Sequence, residues 1–355
     1  MAGQARVIVD HTHCGRHVTG LERITLELFS REALAPLDID IATSASVPDM
    51  IFKQSVALPF ELARDRRAIL VCPGFPPSMP ASLFGARCLP YIHDLFLITR
   101  PADLNRRAKL YMAPAFRFAV KRLPRFLVNS ESTRDELRAH CRPDARIQLY
   151  RPCVRNVFDL DPSGRADRST PQGALRLIAL GTVEPRKNLL AAAAIVSALR
   201  VRGCPGASLD LVGRPGWGGD MDALAASPGV TLHGYQPLDR VRDLLQTADA
   251  LISTSHDEGL GLPLLEAQYA GLPVIAPDKP VFREVLGESG LYIDAADPAA
   301  AADRVLALIS RTGWRAAAEA AATENLDRWN GLAARDHIET LRLLARLAGA
   351  GESPC

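Results

Sequence analysis

The chain has 355 residues, 48% of them hydrophobic, which is enough to fill two ordinary cores. Lysine and arginine number 42 against 40 acidic residues, and a net charge of +2 exerts no pull toward nucleic acid. Seven scattered cysteines (14, 72, 88, 141, 153, 204 and 355) form no C-x-x-C pair, and no secretory start precedes Arg6, which predicts reduced thiols and a cytoplasmic protein. Apolar runs such as 191–196 and 296–302 are far shorter than the roughly 20 residues needed to span a bilayer.

In chain order, short aliphatic runs alternate with longer helical patterns, the signature of an α/β protein with parallel sheets covered on both faces. Strands are predicted at 6–10, 68–72, 89–93, 125–129 and 146–150. Ser132 with Asp135 three residues on reads as a capping box that starts a helix over 131–140. Residues 159–173 (DLDPSGRADRSTPQG) are polar, with no apolar period, and read as a linker. A second α/β series follows, with strands at 175–180, 208–212, 230–232, 250–253, 273–276 and 291–293. From Pro298 onward the pattern is helical, and a terminal helix is expected to pack back across the linker. The expected domains are 1–160, a linker 161–173, 174–335, and a C-terminal helix and tail 336–355.

Two segments carry chemistry. The strand 175–180 ends at Gly181 and runs through Glu184, Pro185, Arg186, Lys187 and Asn188 into an alanine-rich helix. Two cations at a helix start sit on the unfavourable end of the helix dipole, which points to an anionic ligand such as a diphosphate. The second segment, HDEGLGLPLLEA (256–267), sets two glutamates eight residues apart around a glycine-rich turn. Gly259 and Gly261 let backbone N–H groups approach a ligand, and Pro263 suits the first turn of a helix. Glu258 would hang from the loop and Glu266 from the second helical turn, both at the carboxyl ends of the strands, where open α/β sheets bind ligands. A carboxylate accepts hydrogen bonds from vicinal diols, so one glutamate suits a sugar ring and the other a ribose. Leu264, Leu265 and Ala267 make the surroundings of Glu266 largely apolar, which argues against a solvated role.

EPRKN followed about seventy residues later by E-x7-E resembles the group 1, family 4-like retaining glycosyltransferases of the GT-B fold. LDLVGRPGW (209–217) and VTLHGYQPLDRVRDLLQTADALIS (230–253) fit the same family. In the first half the match is thinner and rests on Tyr91, Ile92, His93 and Asp94 and on Thr19, Gly20, Leu21, Glu22 and Arg23. The resemblance implies two Rossmann-like domains with a cleft between them that closes over a nucleoside-diphosphate sugar. It implies His93 near the donor sugar, Gly20 near phosphate or acceptor, Arg186 and Lys187 on the diphosphate, Glu258 on the sugar and Glu266 on the ribose. Gly181, Gly259, Leu260 and Gly261 would line the donor, and Gly234 and Tyr235 would border the base. Thr182 stands where many relatives carry an arginine, and Leu260 where many carry an aromatic ring. No cofactor and no metal are expected, because Arg186 and Lys187 would take the metal's place.

The implied activity is transfer of a hexose, mannose favoured, to a glycan or lipid-linked acceptor hydroxyl in surface-polysaccharide assembly. A nucleotide-sugar epimerase, a phosphorylase or a non-catalytic nucleotide-sugar binding protein are the alternatives. His11, His13, Cys14 and His17 crowd four potential ligands together, but H-x-H-C-x-x-H matches no standard zinc spacing and reads better as a flexible loop on the acceptor side. The stretch 106–125 holds seven cations and no acid among Leu, Tyr, Met and Phe. It suits either a solvated helix face or peripheral contact with the inner face of an anionic membrane.

Overall fold

The computed structural model describes residues 6–15, 20–101, 104, 108–166 and 173–349. They divide into two compact units, one formed by 1–153 with 331–355 and the other by 154–330. The division falls at Cys153/Val154, ahead of the expected linker, for a physical reason. Val154 exchanges backbone hydrogen bonds with the Asn330 side chain, and the buried Arg165 guanidinium donates to the carbonyls of Ala248, Leu245 and Gln246. The described part of 154–166 is thereby tied to the second unit. The long helix Trp314–Leu347 passes from the second unit to the first at Asn330/Gly331, five residues before the expected start of the C-terminal segment.

The first unit is a six-stranded parallel sheet in the order β2-β1-β3-β4-β5-β6, with β1 Val7–Asp10, β2 Ile39–Ala42, β3 Ile69–Cys72, β4 Cys88–Ile92, β5 Arg125–Val128 and β6 Arg146–Leu149. β1, β3 and β4 are buried along their whole length, as expected of strands covered by helices on both faces. β2 is not among the predicted strands. It is a four-residue edge strand, IDIA, too short for an alternating pattern to register. The helix after β5 runs Glu131–Arg138, and Ser130, not Ser132, caps it by accepting from Thr133 N at 3.0 Å.

The second unit repeats the design in the order β12-β11-β10-β7-β8-β9, with β7 Ala174–Leu180, β8 Gly206–Val212, β9 Val230–Gly234, β10 Ala250–Ile252, β11 Val274–Pro277 and β12 Gly290–Ile293. Each matches a strand predicted from the sequence. Leu177, Leu209, Ile252 and Ile275 meet Leu189, Ala192, Val196 and Leu199 of the helix Leu189–Val201 in one buried core. Those helical positions recur three and four apart, one face of a helix. Each fully buried aliphatic chain is worth about 1.5–3 kcal/mol.

Candidate donor site

The chain order reverses beside β7: β8 and β9 extend the sheet on one side, β10, β11 and β12 on the other. At such a switch point the loops after the two neighbouring strands leave in opposite directions and open a crevice. The loops after β7 and β10 are the two segments singled out by their chemistry. They are stitched together: His256 N donates to Arg186 O at 2.8 Å, and Thr254 Oγ1 to Asn188 O at 2.8 Å.

Arg186 and Lys187 lie on a separate 3-10 turn, Pro185–Lys187, which ends at Asn188 in the left-handed region (φ 49°) before the helix Leu189–Val201 begins. The helix dipole is therefore not what the two cations face. Arg186 Nη1 donates to Glu258 Oε2 at 2.9 Å and to Asp257 O at 2.8 Å, and its Nη2 to Glu184 Oε1 at 2.6 Å. Lys187 Nζ donates to Glu258 Oε1 at 2.6 Å, and Ser255 Oγ donates to the same oxygen at 2.7 Å. Placement of the cations thus does not by itself demand an external anion, because Glu184 and Glu258 supply the counter-charge. Burial pushes the Glu258 carboxyl up, but Lys187 and Arg186 outweigh it and hold the group below the usual glutamate range. Burial likewise works against the Arg186 guanidinium, yet Glu258 and Glu184 raise its pKa.

Gly261 caps the helix Leu262–Gln268 from the left-handed region (φ 81°), and Leu260 is buried beside it. Glu266 sits on the second turn of that helix, buried with Leu264, Leu265 and Ala267 around it. Gly181 packs under the Lys187 side chain. Gly234 ends β9 with φ 67°, and Tyr235 beyond it is exposed, with the Arg214 guanidinium over its ring at 4.6 Å. A cavity of about 550 Å³ lies at the ends of β11 and β12, and Thr254, Ser255, His256 and Lys279 are among its walls.

Three residues that matter here escape the sequence reading. Glu184 and Ser255 complete the charge cluster; Glu184 stands in EPRKN but carries no role in the sequence reading, and the only signal of Ser255 is adjacency to the second motif. Gly213 holds the loops together: a Cβ there would fall 1.8 Å from Gly181 O. That close approach lets Gly181 N donate to Val212 O and Val183 N to Arg214 O, so the loop after β7 runs beside 212–216.

In the first unit His93 follows β4, half-buried, with Nε2 2.7 Å from Pro73 O. That contact makes Nε2–H the donor and leaves Nδ1 as an acceptor. Burial pushes the ring's pKa down to about 4, so it is neutral near pH 7. With Leu21, Gly74, Asp94 and Phe116 it lines a cavity of about 150 Å³. Gly20 is exposed at the start of the helix Gly20–Phe29, while Thr19 lies outside the described residues. His11, Thr12 and His13 are buried, and this corrects their reading as a flexible loop. His11 contacts Phe29 O at 3.1 Å and His13 contacts Thr25 Oγ1 at 3.1 Å. Gly74 leaves room for the His13 ring, since a Cβ there would meet it at 2.1 Å. Among the described residues no three His, Cys, Asp or Glu side chains are grouped to hold a metal, and His17 lies outside them.

Residues 174–311 match the family described as "Glycosyl transferases group 1". This stretch is similar to the group 1 glycosyltransferases. That stretch contains β7 to β12, the charge cluster and both glutamates. The chain is 31% identical over 146 residues to the O-antigen chain mannosyltransferase B of Escherichia coli, covering 40% of this chain and 38% of that one. It is 28% identical over 272 residues to the D-inositol 3-phosphate glycosyltransferase of Thermobispora bispora, covering 70% and 64%. The chain thus spans less than two thirds of the length of these curated relatives. Among solved structures, sucrose-phosphate synthase from Thermosynechococcus elongatus superposes with a TM-score of 0.72 at 16% identity over 98% of this chain and 100% of that one. Two parallel six-stranded units and this likeness identify the GT-B fold.

Proposed function

We propose that the chain is a retaining, metal-independent hexosyltransferase that uses a nucleoside-diphosphate sugar, mannose-type favoured, and a glycan or lipid-linked acceptor in surface-polysaccharide assembly. The observation that carries the reading is the Arg186–Glu258–Lys187 cluster at the switch point of a unit similar to the group 1 glycosyltransferases. The preference for mannose draws support from the E. coli mannosyltransferase, which aligns with 40% of this chain.

In this proposal Arg186 and Lys187 take the leaving diphosphate, the role a divalent ion fills elsewhere, and give fixed positive charge where negative charge develops. Glu258 releases part of its hold on them and turns to the sugar hydroxyls, while Glu266 takes the ribose. Gly181, Gly259, Leu260 and Gly261 would line the donor, and Gly234 with Tyr235 the base. His93, neutral with Nδ1 as acceptor, would receive a hydrogen bond from a sugar hydroxyl, and Gly20 would lie near phosphate or acceptor. The protein is proposed to act in the cytoplasm, with peripheral membrane contact through 106–125. Lys109, Arg117, Lys121 and Arg122 of that stretch are exposed, whereas Arg106 and Arg107 lie outside the described residues.

Mass spectrometry of products formed from donors that differ in base and hexose tests the reading. Hexose transfer or donor hydrolysis with release of a nucleoside diphosphate is expected. Turnover that leaves the diphosphate on the sugar would instead support an epimerase.

A further inference from the structure

Residues 47–64 form one continuous helical segment, Val47–Phe52 and Leu58–Arg64 joined by a single π turn, Lys53–Ala57. Its inward face buries Met50, Leu58 and Leu62, and Gln54 between them donates to Asp10 and Thr12 at the end of β1. Two residues further along from Met50, Gln54 and Leu58, about 200° around a helix, stand Phe52, Val56 and Phe60. The outward face of a helix on a solvated protein is ordinarily polar. Here Phe52 is 58% exposed and Phe60 63%, with Ile51 and Val56 exposed beside them.

The stripe continues onto neighbouring elements. The short helix Met79–Ser82 packs against both the π turn and the helix Ala113–Arg122, and Ser78 Oγ donates to Gln54 O at 2.7 Å. Met79 and Leu83 are exposed there, and Leu110 and Tyr111 lead into the helix Ala113–Arg122, Tyr111 at 72% exposure. Met79 shares a surface groove with Arg117, Lys121 and Arg122. Among the described residues, none of Lys109, Arg117, Lys121 and Arg122 has a carboxylate within ion-pair distance. The acids on the 47–64 segment are neutralised, Asp49 by Lys53 and Glu61 by Arg6.

An apolar stripe bordered on one side by unpaired cations fits one occupant. We propose that the first unit docks on an anionic phospholipid surface, with 47–64 as the inserting edge and Ala113–Arg122 as the charged flank. The inference adds an inserting element to the charge-based contact proposed above and stands independently of the glycosyl-transfer reading. Apolar side chains enter the headgroup boundary while the cations bind anionic headgroups. A second copy of this chain fits poorly, because the same surface on a partner brings its cations no free counter-charge: Asp49 and Glu61 are already paired with Lys53 and Arg6.

Cosedimentation of the full chain with vesicles of phosphatidylcholine alone, or of phosphatidylcholine and phosphatidylglycerol in equal parts, tests the proposal. Binding is expected to the mixed vesicles and not to the neutral ones. The double variant Phe52→Ser/Phe60→Ser should lose at least about tenfold in vesicle affinity, and so should Arg117→Gln/Lys121→Gln/Arg122→Gln, each charge being worth about 1 kcal/mol at the surface. In Phe60→Trp the indole fluorescence should shift to the blue on adding mixed vesicles, a readout that requires no loss of function. All altered residues are exposed, so donor hydrolysis without vesicles should remain at the wild-type level, which separates a failure here from a failure of the transferase reading. No binding to mixed vesicles, unchanged binding by the serine variant, or a dimer that the serine variant dissolves would each overturn the proposal.

Discussion

Glu258 accepts from Arg186, Lys187 and Ser255 at once, and that fact sets what its removal should do. Glu258→Gln leaves two partly buried cations facing a neutral amide, which should cost roughly 3 kcal/mol of stability. The cations also lose their internal competitor, so affinity for a free nucleoside diphosphate should hold or rise while turnover falls. Glu266→Gln, on the proposed ribose contact, should weaken the nucleoside diphosphate itself. Calorimetric titration of both variants checks the pair, and the opposite pattern would reverse the two roles. His93 makes a prediction about pH. Its ring titrates at about 4 in the folded protein against an ordinary value of 6.5. As pH falls below 6.5 the unfolded chain takes up the proton first, so stability is full above that value and declines toward 4, by up to roughly 3 kcal/mol for one such group. His11, also held down by burial, adds in the same direction. Thermal unfolding across this window should show the decline, and His93→Gln should flatten it. Glu258, held low, loses its contribution only at more acid pH, as pH falls through its folded value.

Between elements, the close approach of two backbones positions the cations. Gly213→Ala would drive a Cβ to 1.8 Å from Gly181 O, and Gly216→Ala to 2.5 Å from Val183 O. Backbone cannot yield as a flexible side chain can, so Gly213→Ala should cost about 3 kcal/mol or more and displace 181–188. Gly219, with open space around its Cβ position, serves as the control, and Gly219→Ala should change stability by no more than about 0.5 kcal/mol. Urea unfolding, with nucleotide titration alongside, measures both effects. The same element shows where sequence reasoning stops. EPRKN reads as a strand-to-helix turn, and it is one, but the 3-10 turn and the left-handed Asn188 depend on contacts with Thr254 and His256, more than sixty residues away.

At the scale of the whole molecule, two units with separate cores predict a local response to ligand. A nucleoside diphosphate at one hundred times its dissociation constant should stabilise the fold that binds it by about 2.7 kcal/mol. Hydrogen exchange should therefore slow in 174–330 and stay unchanged in the sheet from β1 to β6. Excess chelator should leave both that protection and turnover intact if Arg186 and Lys187 serve in place of a metal. Turnover lost to the chelator and restored by a divalent ion would contradict the proposed role of the cations.

The central strands β10 and β11 of the second unit were legible because a parallel strand buried on both faces must be continuously apolar, and that pattern is local. The two chemical segments were legible for a similar reason: glycine, proline and paired charges mark turns whose needs are written within a dozen residues. Local pattern could not show that Glu258 neutralises both cations, since only the sheet order brings the loops after β7 and β10 together. Nor could it show that 154–166 belongs with the second unit, or that the helix Trp314–Leu347 is shared between units, because both follow from contacts distant in the chain. The apolar stripe at 52, 56 and 60 looks in sequence like a core face. Only packing reveals that Met50, Leu58 and Leu62 already occupy the core and leave the phenylalanines outside.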